Sequence, residues 1–223
     1  MRLRAEYRVG PNLKFLGNLD MMHLLERALR RAEIPYRLTE GFNPHIKLSM
    51  GTVLPVGLWG ENEYFDLELD EMAPQDFKNR INVVLPPDMQ IKQCIAVPMQ
   101  AASLMKTINT AQYDFILKPG QNAEYLVTSL LDCDKILVQS RGKNKQLLKD
   151  LRPGLYDMQV EPGDGFEVLA VMVSVNEPLN IRFDELLAVF AENGLKSENL
   201  LDFFRRGNYI REESKYYSPL EKV

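Results

Sequence analysis

The apolar residues of this chain change their spacing several times within the first hundred positions, and that alternation restricts the fold more than any other feature. From Leu19 to Glu33, Met22, Leu25, Leu29 and Ala32 recur every three or four residues, the stripe of a helix that buries one face. Asn18 is placed to cap its start and Pro35 to end it. The period then drops to two. Ile46, Leu48, Met50, Leu54 and Val56 occupy even positions with Lys47, Ser49 and Gly51 between them, and Phe65, Leu67 and Leu69 alternate with Asp66, Glu68 and Asp70. Residues 74 to 84 offer a helix entered through Pro74, and residues 91 to 97 a strand closed by Pro98.

With a first strand over residues 1 to 9 and a short apolar stretch at Leu13 to Leu16, the order from 1 to 98 is strand, helix, strand, strand, helix, strand. That order predicts a ferredoxin-like half. A similar order recurs later. Strands are expected at 113–118, 136–138, 146–151, 156–160 and 166–175, helices at 123–131 and 183–192, and an extended segment at 203–210. The expectation is therefore an α+β chain of two tandem ferredoxin-like halves, 1–98 and 112–218, joined by a linker over 99–111.

Composition limits the function classes. No apolar run approaches the roughly 20 residues that cross a bilayer, and no apolar stretch follows Arg2 and Arg4, so a cytoplasmic protein is expected. A net charge of −4 argues against non-specific coating of nucleic acid, which needs a cationic surface, but leaves room for a local basic patch. Cys94 and Cys133 stand far apart and His23 and His45 are the only histidines, too few for a zinc or iron–sulfur site within this chain. Motifs for dinucleotides, nucleotide phosphates, zinc hydrolases and nucleophilic serines are missing. No cofactor is expected on the chain itself.

Two segments could carry recognition. At about 100° per residue, His23, Arg27, Arg30 and Arg31 share an arc opposite the apolar stripe, and guanidinium forks suit phosphate or carboxylate. The alternative is a solvated face with Arg27 and Arg30 paired to Glu26 and Glu33. Next comes Glu40-Gly41-Phe42-Asn43-Pro44-His45-Ile46-Lys47, whose Gly, Asn and Pro fix a shaped turn ending near His45 and Lys47. Either the turn presents these side chains, or Phe42 plugs the core and His45 caps a strand. A catalytic His45 would need Glu63, Glu40 or Asp20 within reach. Asp66, Glu68 and Asp70 have the spacing of a solvated strand face.

The strings Asn18-Leu19-Asp20, Arg27-Ala28-Leu29-Arg30-Arg31-Ala32, Ile34-Pro35-Tyr36, Glu40 to His45, Leu54-Pro55-Val56-Gly57 and Glu63-Tyr64 resemble the bacterial family DUF2344 of radical-SAM-linked proteins. The resemblance is concentrated in residues 8 to 70. It implies an accessory role beside a cobalamin-binding radical SAM protein that carries the iron–sulfur cluster, SAM and cobalamin, with an RNA or ribosome-related substrate. Arg27, Arg30, Arg31, Gly41, Phe42, Asn43, Pro44, His45, Pro55, Gly57 and Glu63 stand at its motif positions. Where members of that family usually carry a His before Leu-Asp, this chain has Asn18. The competing expectations are an RNA-modifying enzyme using His45 with Glu63 or Asp20, and a protein–protein adaptor.

Overall fold

The computed structural model describes residues 1–140 and 147–223. The chain forms two compact units, the first made of residues 1–108 and 207–223 and the second of 109–206. This differs from the partition expected at residues 99–111. Leu104 and Ile108, inside the expected linker, are fully buried, and a one-turn helix spans Leu104–Thr107. The C-terminal residues return to the first unit, a long-range pairing that local spacing cannot announce.

In the first unit β1 (Arg2–Val9) lies between β4 (Met89–Val97) and β3 (Trp59–Glu68), antiparallel to both, while β2 (Leu48–Met50) pairs with β3. Two helices, α1 (Asn18–Arg31) and α2 (Pro74–Asn82), share one core with this sheet. Leu3, Ala5, Tyr7 and Val9 of β1 and Phe65 and Leu67 of β3 meet Met21, Leu25, Ala28 and Leu29 of α1 and Phe77 and Ile81 of α2. Leu25 and Leu29 have no exposed surface, each contributing about 1.5–3 kcal/mol by burial. Phe65 is the hinge of the aromatic packing, 5.5 Å from the Tyr7 ring and 6.5 Å edge-on from Phe77.

Several local expectations shift. The cap of α1 is Gly17, whose N–H donates to the Asp20 carboxylate, and Asn18 is the first helical residue. Residues 11–13, leading into the short apolar stretch at Leu13 to Leu16, form a 3-10 turn. The alternation over 46–56 yields only the three residues of β2, because Gly51, Pro55 and Gly57 interrupt the ladder. Gly57 sits at φ +97°, a left-handed conformation that suits glycine, and its N–H reaches Lys14 O at 2.7 Å, tying the two loops together.

With the Leu104–Thr107 turn of the first unit counted as α3, the second unit runs β5 (Thr110–Leu117), α4 (Ala123–Leu131), β6 (Leu137–Gln139), β7 (Leu148–Asp150), β8 (Leu155–Pro162), β9 (Glu167–Ser174) and α5 (Phe183–Glu192). Gln146, where one strand was expected to begin, lies outside the described residues. Strand β10 (Leu200–Glu212) starts in the second unit and ends in the first, where β11 (Lys215–Tyr217) pairs with it. Within the second unit β5 pairs antiparallel with β9, and β9 with β8, while β6 and β7 form a separate ladder. Phe115 stacks on Phe183 at 5.7 Å and meets Phe190 edge-on at 5.1 Å, joining β5 to α5.

Candidate nucleic-acid interface

The side of α1 turned away from the core exposes His23, Arg27, Arg30 and Arg31. This follows from the 3.6-residue period, since the buried set Met21, Leu25, Ala28, Leu29 and Ala32 occupies the opposite arc. Arg30 is engaged with Glu26 at 3.7 Å, one turn back. Among the described residues Arg27 and Arg31 have no ion-pair partner, and Glu33 faces Arg80 at 4.0 Å. The two positions thus lie one turn, about 6 Å, apart along the helix axis.

After α1 the chain turns at Ile34 and runs out and back as a narrow hairpin. Tyr36 bridges to Leu69, Leu38 bridges to Ile46, and Lys47 N–H donates to Arg37 O at 2.9 Å. The clasp is closed twice between Thr39 and His45. Thr39 N–H donates to His45 O at 2.8 Å, and His45 N–H donates to Thr39 Oγ1 at 2.9 Å. Gly41 takes φ +125° at the tip, which a side chain would resist. Residues 40 to 45 are all exposed, and Phe42 is 112% exposed, so it does not plug the core.

The flanking cations of the hairpin are committed. Arg37 Nε donates to Asp70 at 3.0 Å and Lys47 Nζ to Glu68 at 3.1 Å. Lys47 is therefore half-buried support for the hairpin stem, whereas His45 presents its ring at the tip.

Glu63 belongs elsewhere. It is buried on β3 and accepts a hydrogen bond from Asn208 Nδ2 at 3.2 Å, while Asn208 Oδ1 accepts from Thr52 Oγ1 at 2.7 Å. Asp20 is exposed at the start of α1, holding Gly17 N–H. Neither carboxylate is hydrogen-bonded to His45. Asn18 lines a cavity of about 20 Å³ with Tyr7, Met21 and Thr52, room for about one water.

Sequence spacing missed a buried polar cluster on the second face of β1 and β3. Asp66, expected on a solvated ladder, is 2% exposed. It accepts from Arg4 Nε at 2.8 Å and Nη2 at 3.1 Å and from Arg2. Arg4 completes its fork on the carbonyls of Ala102 and Pro219. Beside it Tyr64 donates to Glu6 at 2.7 Å, and burial first, then the Glu6 charge, pushes the Tyr64 hydroxyl far above its ordinary range. The alternation of Arg2, Arg4 and Glu6 with Leu3, Ala5 and Tyr7 was the available signal. These groups bond one another and lock the fold.

The model of the family DUF2344, described as an uncharacterized protein conserved in bacteria, matches residues 2–183. No curated protein matches. Among solved structures, a chain of a Cbf5–Nop10–Gar1 complex is similar with TM-score 0.51 and 11% identity, covering 95% of this chain and 50% of that one. A chain of the archaeal box H/ACA sRNP Nop10–Cbf5 complex gives TM-score 0.43 and 10% identity over 92% of this chain and 46% of that one. The present chain thus spans about half the length of the first structure, and the likeness is one of mixed α/β fold.

Proposed function

This chain belongs to the DUF2344 family, and we propose that it is an accessory recognition module that grips an RNA or ribosome-related substrate through the outer face of α1 and the Gly41–Lys47 turn. One observation carries the reading. Arg27 and Arg31 are exposed, one turn apart and without acidic partners among the described residues, whereas Arg30, Arg37 and Lys47 are paired. Like charges at this spacing cost a few tenths of a kcal/mol, a cost that a phosphate backbone would reverse. An overall charge of −4 argues against non-specific coating of nucleic acid, so such binding calls for a local basic face.

The radical SAM partner is implied by the family resemblance, and in this reading that partner supplies the iron–sulfur cluster, SAM and cobalamin. Each unit is read as a ferredoxin-like half, which the strand orders β4-β1-β3 with β2 on β3, and β10-β5-β9-β8, support. Affinity capture from the source cytosol tests the function. Wild type should retain RNA together with the radical SAM protein, and Arg27→Ala with Arg31→Ala should lose the RNA at unchanged melting temperature. Capture of an acidic protein without RNA, or unchanged capture by the double variant, would contradict it.

A further inference from the structure

We infer that Phe42 is a stacking platform for an unpaired RNA base, so that the ligand of this site is single-stranded and not duplex; the inference rests on the RNA reading above. The ring is 112% exposed, beyond the ordinary reference for an extended chain, and no packing accounts for it. Its position is built. Gly41 at φ +125° reverses the chain, and the paired Thr39–His45 hydrogen bonds hold the stem that carries it.

The neighbourhood selects the occupant. Glu40, Gly41, Asn43, Pro44 and His45 are all exposed around the ring, so the tip offers a single aromatic face, with Pro44 and the exposed Leu38 of the stem as its only other apolar side chains in the hairpin segment 38–45. A protein interface is built on a larger apolar core than these three side chains provide. A nucleobase needs only a single ring, and unpaired bases are the ones with free faces, whereas bases within a duplex are already stacked on each other. The cations point the same way: the preceding helix carries Arg27 and Arg31, exposed and without acidic partners among the described residues, a charge that suits a phosphate backbone.

The test uses the full chain and fluorescence anisotropy with labelled oligouridine and oligoadenosine of roughly a dozen nucleotides, and a duplex of equal length. Phe42→Ala should weaken single-strand binding by roughly 5- to 150-fold and leave duplex binding unchanged. Phe42→Trp should retain affinity. Phe42→Leu, which keeps apolar bulk without a π face, should lose as much as Phe42→Ala. Equal binding by Phe42→Leu and wild type, or no effect of Phe42→Ala while Arg27→Ala with Arg31→Ala still weakens binding, would overturn the stacking role alone. Failure of wild type to bind any of the three RNAs would overturn the RNA reading and this inference together. Melting of each variant should match wild type, since the ring lies outside the core.

Discussion

Asp66→Ala should cost the first unit about 3–5 kcal/mol, the range for breaking a buried ion pair by removing one partner. Arg4 is 1% exposed and Asp66 2%, so neither charge can turn to water when the other is lost. The truncation removes the acceptor of two Arg4 hydrogen bonds, at 2.8 and 3.1 Å, and of one from Arg2. Arg4 keeps only the Ala102 and Pro219 carbonyls, which carry no compensating charge. At about 2–4 °C per kcal/mol for a chain of this size, the melting point should fall by roughly 6–20 °C.

The single tryptophan makes the assay specific. Trp59 lies on β3 in the same unit, so urea titration followed by its fluorescence reports the unit that holds the pair. Arg4→Met combined with Asp66→Leu should be less damaging than Asp66→Ala alone, because it leaves no orphaned charge at Arg4. A cost below about 1 kcal/mol for Asp66→Ala would show that the cluster is hydrated, as a surface pair is. A double variant no better than the sum of its single changes would refute the pairing argument.

Two further outcomes follow from the second unit and the thiols. The Asp150 carboxylate accepts N–H bonds from Ile136 at 2.9 Å and Arg152 at 3.0 Å, and the Ile136 bond chiefly holds its pKa below the ordinary 3.8. Its stabilisation is complete above that value and is lost as pH falls through the lower folded value, so the stability gap between wild type and Asp150→Asn, followed by circular dichroism, should close progressively as the pH falls below the ordinary 3.8; a gap that widens in acid would contradict this. Burial raises the pKa of Cys94, whose Sγ donates to Pro74 O, while Cys133 is exposed, so alkylation should reach Cys133 first and the partly buried Cys94 more slowly, as mass spectrometry of timed samples would show.

What the sequence disclosed was local. Helix α5 occupies residues 183–192 as its spacing implies, because Phe183, Leu186, Val189 and Phe190 repeat at helical period and all are buried. The arginine face of α1 is exposed for the same reason. Phe42 was ambiguous because an apolar side chain suggests burial, and only the positive φ of Gly41 and the Thr39–His45 clasp turn it outward. Asp66 was misread because its burial depends on Arg4, 62 positions away, which in turn holds the carbonyls of Ala102 and Pro219, 98 and 215 positions from it along the chain. Likewise Lys47 offered a cation at the turn, but Glu68 of the neighbouring strand holds it. The division into units followed return of the C-terminal residues, which no periodicity encodes.

The central claim is that Arg27 and Arg31 meet an RNA backbone, and the salt dependence of single-stranded RNA binding tests it most directly. Each phosphate contact contributes about 0.7 to the slope of log affinity against log salt, so replacing both arginines by alanine should make the slope shallower by about 1.4. Affinity should fall at low salt while the two proteins melt at the same temperature. An unchanged slope in the double variant would contradict the account, because it would mean that the two arginines release no counterions and touch no phosphate.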